Sequence, residues 1–434
     1  MNRSQETAVY RQLNQISHLQ NALHHDTRFW LSELHSKAAG AAEDPSRTED
    51  AGFCLKSSIR ALLAEVDGTA SLIRRTALSN ESACGLSLTE KERERLKGGG
   101  CAKVDLASGR DTINTAESLK TAAKFFPMLF GSDFQLDTRA DGWRSLLRLI
   151  KARNAFTHPC LFDDLFALRH ATKALVPAVH WYLGEVVRML TSCAQALGVP
   201  PRVTADTSLA GLSFKEAPTL PMPTFSEEDY ELIRKDPSRS LDYAGRFFAI
   251  ARQDRPRAME YMKRYPTGSD PQYQCAARTA VRTVFSEIEA TLNGATFFIA
   301  AARLRGQTQS AEDEIGRLPL EERLVAVLET WSSEFGYHRS ITRSGEQWKQ
   351  FRGAVAFRDR LTHPRSTEHL RCGPQELKYL HAAVHYLVEA MDCLELDPER
   401  WASAATRVGD AVADEHARRG AREAEETGEE EASV

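Results

Sequence analysis

Apolar residues in this chain recur at helical spacing. Between Ile59 and Thr69, the residues Ile59, Leu62, Leu63 and Val66 fall at i, i+3, i+4 and i+7 and therefore share one stripe of an α-helix. Nearly every segment between Gly- and Pro-rich breakers shows the same preference, and alternating β-branched runs are absent. The pattern predicts an all-α protein. One early helix is expected near Tyr10 to Leu34. The stretch "LKGGGCAKVDLASGR" (Leu96 to Arg110) reads as an exposed loop, and the Pro-, Gly- and Ser/Thr-dense segment 199–224 reads as a linker. After residue 402 the chain drifts into "REAEETGEEEASV", an acidic tail over 403–434 with too few apolar residues to fold.

The pattern also repeats. "WRSLLRLIKARNAFTHP" (Trp143 to Pro159) returns as "WKQFRGAVAFRDRLTHP" (Trp348 to Pro364), with Trp143 and Trp348, Arg153 and Arg358, and His158 and His363 each 205 positions apart. Phe130-Gly131 against Phe335-Gly336, and Val179-His180 against Val384-His385, keep that register. Upstream the spacing becomes 222: "IRALLAEVDGT" (Ile59 to Thr69) matches "VRTVFSEIEAT" (Val281 to Thr291) in an Arg, a Glu, an acidic residue and a Thr. The change of spacing places about 17 extra residues in the first copy, assigned to the loop at about 96–110. A weaker echo pairs "RFW" at Arg28 to Trp30 with "RFF" at Arg246 to Phe248. The expected architecture is two tandem related helical bundles, residues 1–198 and 225–402.

Composition narrows the class. At 434 residues, 42% hydrophobic and 27% charged, the chain has the balance of soluble globular domains, and no apolar run approaches the roughly 20 residues that span a bilayer. The start, "MNRSQETAVYRQLNQ", lacks the apolar core of a secretory signal. The eight cysteines show no C-x-x-C pair and no zinc-ligand spacing, so free thiols in a reducing cytoplasm are expected, with no metal and no cofactor. A net charge of -4 gives no global attraction to nucleic acid, so such binding would need a local basic patch.

The repeated phrase carries that patch and the candidate chemistry. Each copy contains Arg, then Asn or Asp, and ends Thr-His-Pro: Arg153, Asn154, Thr157 and His158 in one, Arg358, Asp359, Thr362 and His363 in the other. A lone Arg and His at this spacing means little in a chain with 13 histidines, but two at one repeat position are not chance. Along an unbroken helix the Arg and His would face different directions, but the Pro disfavours helix at the residue before it. Each helix is expected to end at its His, which then turns back toward its Arg at the negative end of the helix dipole. Arg forks fit phosphate and His moves protons near neutral pH, a combination suited to phosphodiester cleavage. Basic residues surround both phrases: Arg144, Arg148, Lys151 and Arg169, then Lys349, Arg352, Arg360, Arg365 and Arg371. Of these Lys151, Arg360 and Arg365, with Thr157 and Thr362, are candidate RNA contacts. Trp143 and Trp348 are expected as core anchors, and His180 and His385 as buried packing residues. There is no P-loop, G-x-S-x-G or H-E-x-x-H.

Both phrases resemble the R-[N/D/H]-x3-H signature of HEPN domains, helical bundles that include many metal-independent ribonucleases. The specific part of the resemblance is the short motif in its helical context. It implies that two HEPN domains pair with their motifs facing, here as an intramolecular pseudo-dimer with one composite site, the arrangement also used by RNA-guided CRISPR effectors of type VI. It further implies attack of an RNA 2′-hydroxyl on the adjacent phosphate, leaving a 2′,3′-cyclic phosphate. His158 and His363 would then be general base and acid in either order, Arg153 and Arg358 the phosphate clamps, and Asn154 and Asp359 positioning residues. Family association adds a toxin-like role in anti-phage defence by abortive infection. The RNA partner would be tRNA, mRNA or phage RNA, with a regulatory protein encoded nearby, no membrane partner and no need of a homo-oligomer. Some toxin members follow the His with x-Tyr, a site of nucleotidylation; here Pro159-Cys160 and Pro364-Arg365 stand there instead. The competing expectation is a non-catalytic module that binds RNA, nucleotides or a protein through the same motif.

Overall fold

The computed structural model describes residues 3–44, 48–82, 87–97, 115–157, 162–198, 252–265, 268–303, 318–335, 340–394 and 406. All regular structure among them is helical, as the apolar spacing predicts. The linker at 199–224, the repeat member Arg246 to Phe248 and nearly all of the tail lie outside the described residues.

The first half contains α1 (Arg3–Glu43), α2 (Thr48–Asn80), α3 (Glu90–Lys97), α4 (Thr115–Met128), α5 (Asp141–Thr157) and α6 (Phe162–Ala196). The second contains α7 (residues 252–263), α8 (Pro271–Arg303), α9 (Leu320–Phe335), α10 (Gly345–Thr362), a short 3-10 turn (Thr367–Leu370) and α11 (Pro374–Leu394). Helix α1 runs beyond the expected Leu34, because Ala38 and Ala41 continue the buried stripe of Leu13, Ile16, Leu23 and Trp30. At α8 the Asp270 carboxylate accepts hydrogen bonds from the Gln272 and Tyr273 N–H groups (2.8 and 2.9 Å), and Pro271 opens the helix where no N–H is needed. Gly131, matched in the repeat, takes φ +68° after α4 while Ser132 N donates to Pro127 O (3.1 Å), a helix stop that needs a residue tolerant of positive φ.

The expected loop at 96–110 needs correction at its start. Leu96 is buried and belongs to α3, which begins with a reciprocal cap between Thr89 and Glu92. The Arg74 guanidinium reaches the carbonyls of Arg95 and Leu96 (3.5 and 3.4 Å) and ties the end of α3 to α2.

Helices α2 and α8, the pair matched at spacing 222, are buried on nearly every face and form the centre. Helix α5 packs against both α2 and α8, and so does α10. Each phrase-bearing helix thus touches the central helix of its own half and that of the other. Two buried charge clusters join the halves. Asp26 of α1 binds Arg278 (2.5 Å) and Arg282 (3.3 Å) of α8, and Asp254 of α7 binds Lys56 (2.5 Å) and Arg60 (3.3 Å) of α2. Lys56 and Arg278, like Arg60 and Arg282, are 222 positions apart, so the two clusters have one design with the halves exchanged. Asp26 and Asp254 are 228 apart, which differs from the register of the RFW/RFF echo. Burial alone would push Asp26 up, but Arg278 and Arg282 outweigh it and hold the carboxyl below its ordinary value. The Trp30 indole N–H donates to Thr279 Oγ1 (2.7 Å) beside the first cluster.

Trp143 is buried against Trp181 (ring centroids 5.3 Å apart), and Trp348 packs half-buried on Phe351 and Tyr386, so both serve the core. The histidines matched in the next helix are not packing residues: His180 is exposed, and His385 pairs at the surface with Glu389 (3.2 Å) one turn on. Cys54, Cys193, Cys275, Cys372 and Cys393 are free and buried.

Candidate functional site

The two phrases meet at α2. On α5, Arg153 places Nη1 3.3 Å from Asp67 Oδ2 and donates from Nη2 to Asn154 Oδ1 (3.3 Å). On α10, Arg358 places Nη2 3.2 Å from Glu289 Oε1 and Nε 3.3 Å from Asp359 Oδ1, with its guanidinium 5.4 Å from the Phe285 ring centre. Asp67 and Glu289 are the acidic pair matched at spacing 222. Each motif Arg is therefore held by the same repeat position of a central helix, and each is also met by the Asn or Asp that follows it. The Arg–carboxylate pairs were not anticipated, although the matched acidic residues in the repeat were their visible signal.

Proline ends α10 where expected. The helix closes at Thr362, and His363 caps it with φ -125° and ψ 60°, its N–H donating to Asp359 O (2.8 Å). Pro364 then seats on Gly68 of α2: a methyl group at Gly68 would lie 3.1 Å from Pro364 Cδ and Cγ, and 2.9 Å from Leu23 Cδ1. The absence of a side chain at Gly68 lets the chain after His363 approach α2 at the residue next to Asp67.

The consequence appears in the electrostatics of His363. His363 is exposed at the end of α10, yet the packing of the chain there partly desolvates its imidazole. Desolvation lowers its pKa, Arg75 and Arg74 of α2 push the same way, and Asp67 and Asp359 oppose them. Asp67 thus faces both the Arg of the first phrase and the His of the second. A chain of charges runs from Arg153 through Asp67 to His363, Asp359, Arg358 and Glu289. Asp359 is exposed, and the partial desolvation it undergoes raises its pKa against the opposing pull of Arg358 and His363.

The remaining candidates divide. His158 and the side chain of Thr157 lie outside the described residues. Thr362 donates its hydroxyl to Arg358 O (3.0 Å), a backbone bond that occupies it locally. Lys151 and Arg365 are exposed, and the Arg365 N–H donates to His369 Nδ1 (3.0 Å). Arg360 pairs with Glu376 (3.0 Å) and lies over Phe357, Arg144 pairs with Asp141, and Arg371 pairs with Glu368 (3.2 Å). Those three are balanced by local carboxylates. The cations beside His363 come from α2 instead, as Arg74 and Arg75, and no motif pointed to them.

Among the described residues no group of three or more His, Cys, Asp or Glu is placed to hold a metal ion, and no helix is long and apolar enough to cross a membrane. Comparison with protein-family models, curated proteins and solved structures finds no match for this chain.

Proposed function

We propose that this chain is an endoribonuclease that needs no metal, with one site assembled from two HEPN-like bundles folded as an intramolecular pseudo-dimer. The observation that carries the reading is Asp67, a single carboxylate set against Arg153 of the first motif and His363 of the second. Nothing in a merely duplicated scaffold requires that convergence. The exchange of charge clusters between the halves, and the packing of each motif helix on both central helices, further support a paired arrangement.

In this reading Arg153 and Arg358 hold the scissile phosphate and stabilise charge on its oxygens as it becomes pentacoordinate. His363 is kept largely neutral near pH 7 by its lowered pKa, the form a general base requires. It takes the proton of the 2′-hydroxyl as the new O2′–P bond forms. The P–O5′ bond breaks and the leaving oxygen takes a proton from His158, leaving a 2′,3′-cyclic phosphate and a 5′-hydroxyl. Asp67, Glu289, Asn154 and Asp359 orient the two arginines. Cytoplasmic action on cellular or phage RNA as a defence toxin, restrained by a neighbouring regulatory protein, belongs to the same proposal.

The test incubates the protein in EDTA with end-labelled total RNA, tRNA and a synthetic single strand, beside the His158→Ala/His363→Ala variant. Cleavage by the wild type alone, with cyclic phosphate ends, is the expected result. RNA binding without cleavage over a broad pH range would replace the enzyme with a non-catalytic binding module.

A further inference from the structure

The segment 363–373 joins α10 to α11, begins with His363 and is fastened near both ends. Near its start Pro364 is buried and seats on Gly68 of α2, in the first half. Near its end Leu370 and Cys372 are buried, and two side chains of α8, in the second half, take hold of their backbone. Arg371 between them is extended (φ -76°, ψ 132°), so the backbone groups of Leu370 and Cys372 turn to the same side. Arg278 donates from Nη1 to Leu370 O (2.7 Å). Gln274, one turn earlier on the same face of α8, accepts from the Cys372 N–H (2.7 Å) and donates to Cys372 O (2.9 Å). Between the anchors the chain is braced locally: the Arg365 N–H donates to His369 Nδ1 (3.0 Å) and the His369 N–H to Ser366 O (3.2 Å).

The grip of Arg278 is set from the other half. Its Nε and Nη2 meet the two carboxylate oxygens of Asp26 on α1 (2.8 and 2.5 Å), a forked pair that fixes the plane of the guanidinium and leaves Nη1 aimed at Leu370. We infer that Asp26, Arg278 and Gln274 are positioning residues: docking of α1 on α8 draws the segment onto α8 and so sets where His363 stands against Asp67 and the motif arginines. The halves then cannot part at this cluster without loosening the histidine. The inference rests on the ribonuclease reading for what His363 does, while its placement rests on these bonds alone. The matching cluster of Asp254 with Lys56 and Arg60 is also buried between the halves, but it is built on α7 and α2 without the arm of Arg278 to the segment, and it serves as the control.

The experiment has two arms that separate these claims. In the first, the full chain is labelled at the histidine ring Cε1 and the His363 resonance, assigned by its loss in His363→Ala, is followed well below the thermal midpoint of each variant. Arg278→Lys keeps a cation beside Asp26 but loses the fork, and Gln274→Ala removes the Cys372 bonds without touching any charge, so one of the two remains informative if the other fails to fold. Both should shift or broaden the His363 signal, whereas Asp254→Asn should lower the midpoint and leave the signal in place. An unmoved signal in Arg278→Lys and Gln274→Ala overturns the inference. So does a signal moved equally by Asp254→Asn, which would mean a general loosening of the halves. In the second arm, RNA cleavage in EDTA should lose kcat roughly tenfold in Arg278→Lys, the cost of a misplaced catalytic group, with KM within about twofold of wild type because the phosphate-holding arginines stay in place. Unchanged kcat beside a moved His363 signal would overturn the role in cleavage. A wild type that cleaves no RNA would sink the ribonuclease reading, and the first arm would still decide the placement of His363.

Discussion

Asp67 and its repeat mate Glu289 each hold a motif arginine, and Asp67 also acts on His363 of the other motif. Asp67→Asn removes the influence that raises the His363 pKa, so the acid limb of the cleavage profile should move to lower pH. The rate at neutral pH should also fall, by roughly ten- to a hundredfold, because Arg153 loses the partner that orients it. An unmoved limb in a pH series of cleavage rates would argue that Asp67 and His363 do not interact in the working site. A second pair of repeat positions diverges further. Glu65 is satisfied by Gln20 (2.9 Å), Thr27 (2.7 Å) and His24 (3.3 Å), whereas Glu287 has Arg255 at 3.4 Å and no hydrogen bond to either oxygen. Desolvation pushes Glu287 up to about 7 despite Arg255 and Arg252. A raised carboxyl contributes its stability fully below the unfolded value near 4.5 and loses it as pH rises through about 7. Glu287→Gln should therefore melt several degrees above wild type at pH 8 and alike below pH 4.5, and equal melting at both values would refute the assignment.

Between elements, the contact of Gly68 with Pro364 sets the distance from α10 to α2. Alanine favours helix over glycine by about 1 kcal/mol, but here the new methyl meets a proline ring that cannot rotate away, while the Leu23 methyl can. Gly68→Ala is expected to leave the thermal midpoint within a few degrees of wild type and to cut cleavage at least tenfold by displacing His363. Equal activity would mean that the seam does not position the histidine. Much at this scale was legible in the sequence. Helical spacing announced the elements, and the Pro after His363 marked where α10 stops. The buried end of α3 was not legible, because three glycines follow Leu96 and Lys97 and its partner Arg74 is distant in the chain. Nor were Arg74 and Arg75: two Arg inside a helix look like any solvated cations until the packing of α10 brings His363 beside them.

For the molecule as a whole, repeat spacing predicts two related halves, but not how they would hold each other. Asp26 and Asp254 sit in segments with no recognisable likeness, and on a helix buried on nearly every face the stripe of Ile59, Leu62, Leu63 and Val66 does not say which face meets the partner. Breaking a buried ion pair from one side costs about 3–5 kcal/mol, since the remaining cations stay buried unpaired. Asp26→Ala and Asp254→Ala should each lower stability by about that amount in denaturant melts, and costs near zero would dismiss the clusters as a lock. Expressed apart, residues 1–198 and 225–402 should fail to fold, and together they should recover a single cooperative transition. The exchanged clusters also bear on heredity. In an assembly of two identical chains every mutation arrives twice, so a change useful on one side of the site is imposed on the other. In a single chain with the halves joined, each arrives once. Lys56 can differ from Arg278, Asn154 from Asp359 and Gly68 from Ala290, leaving selection free to build a left hand and a right hand from one inherited pattern.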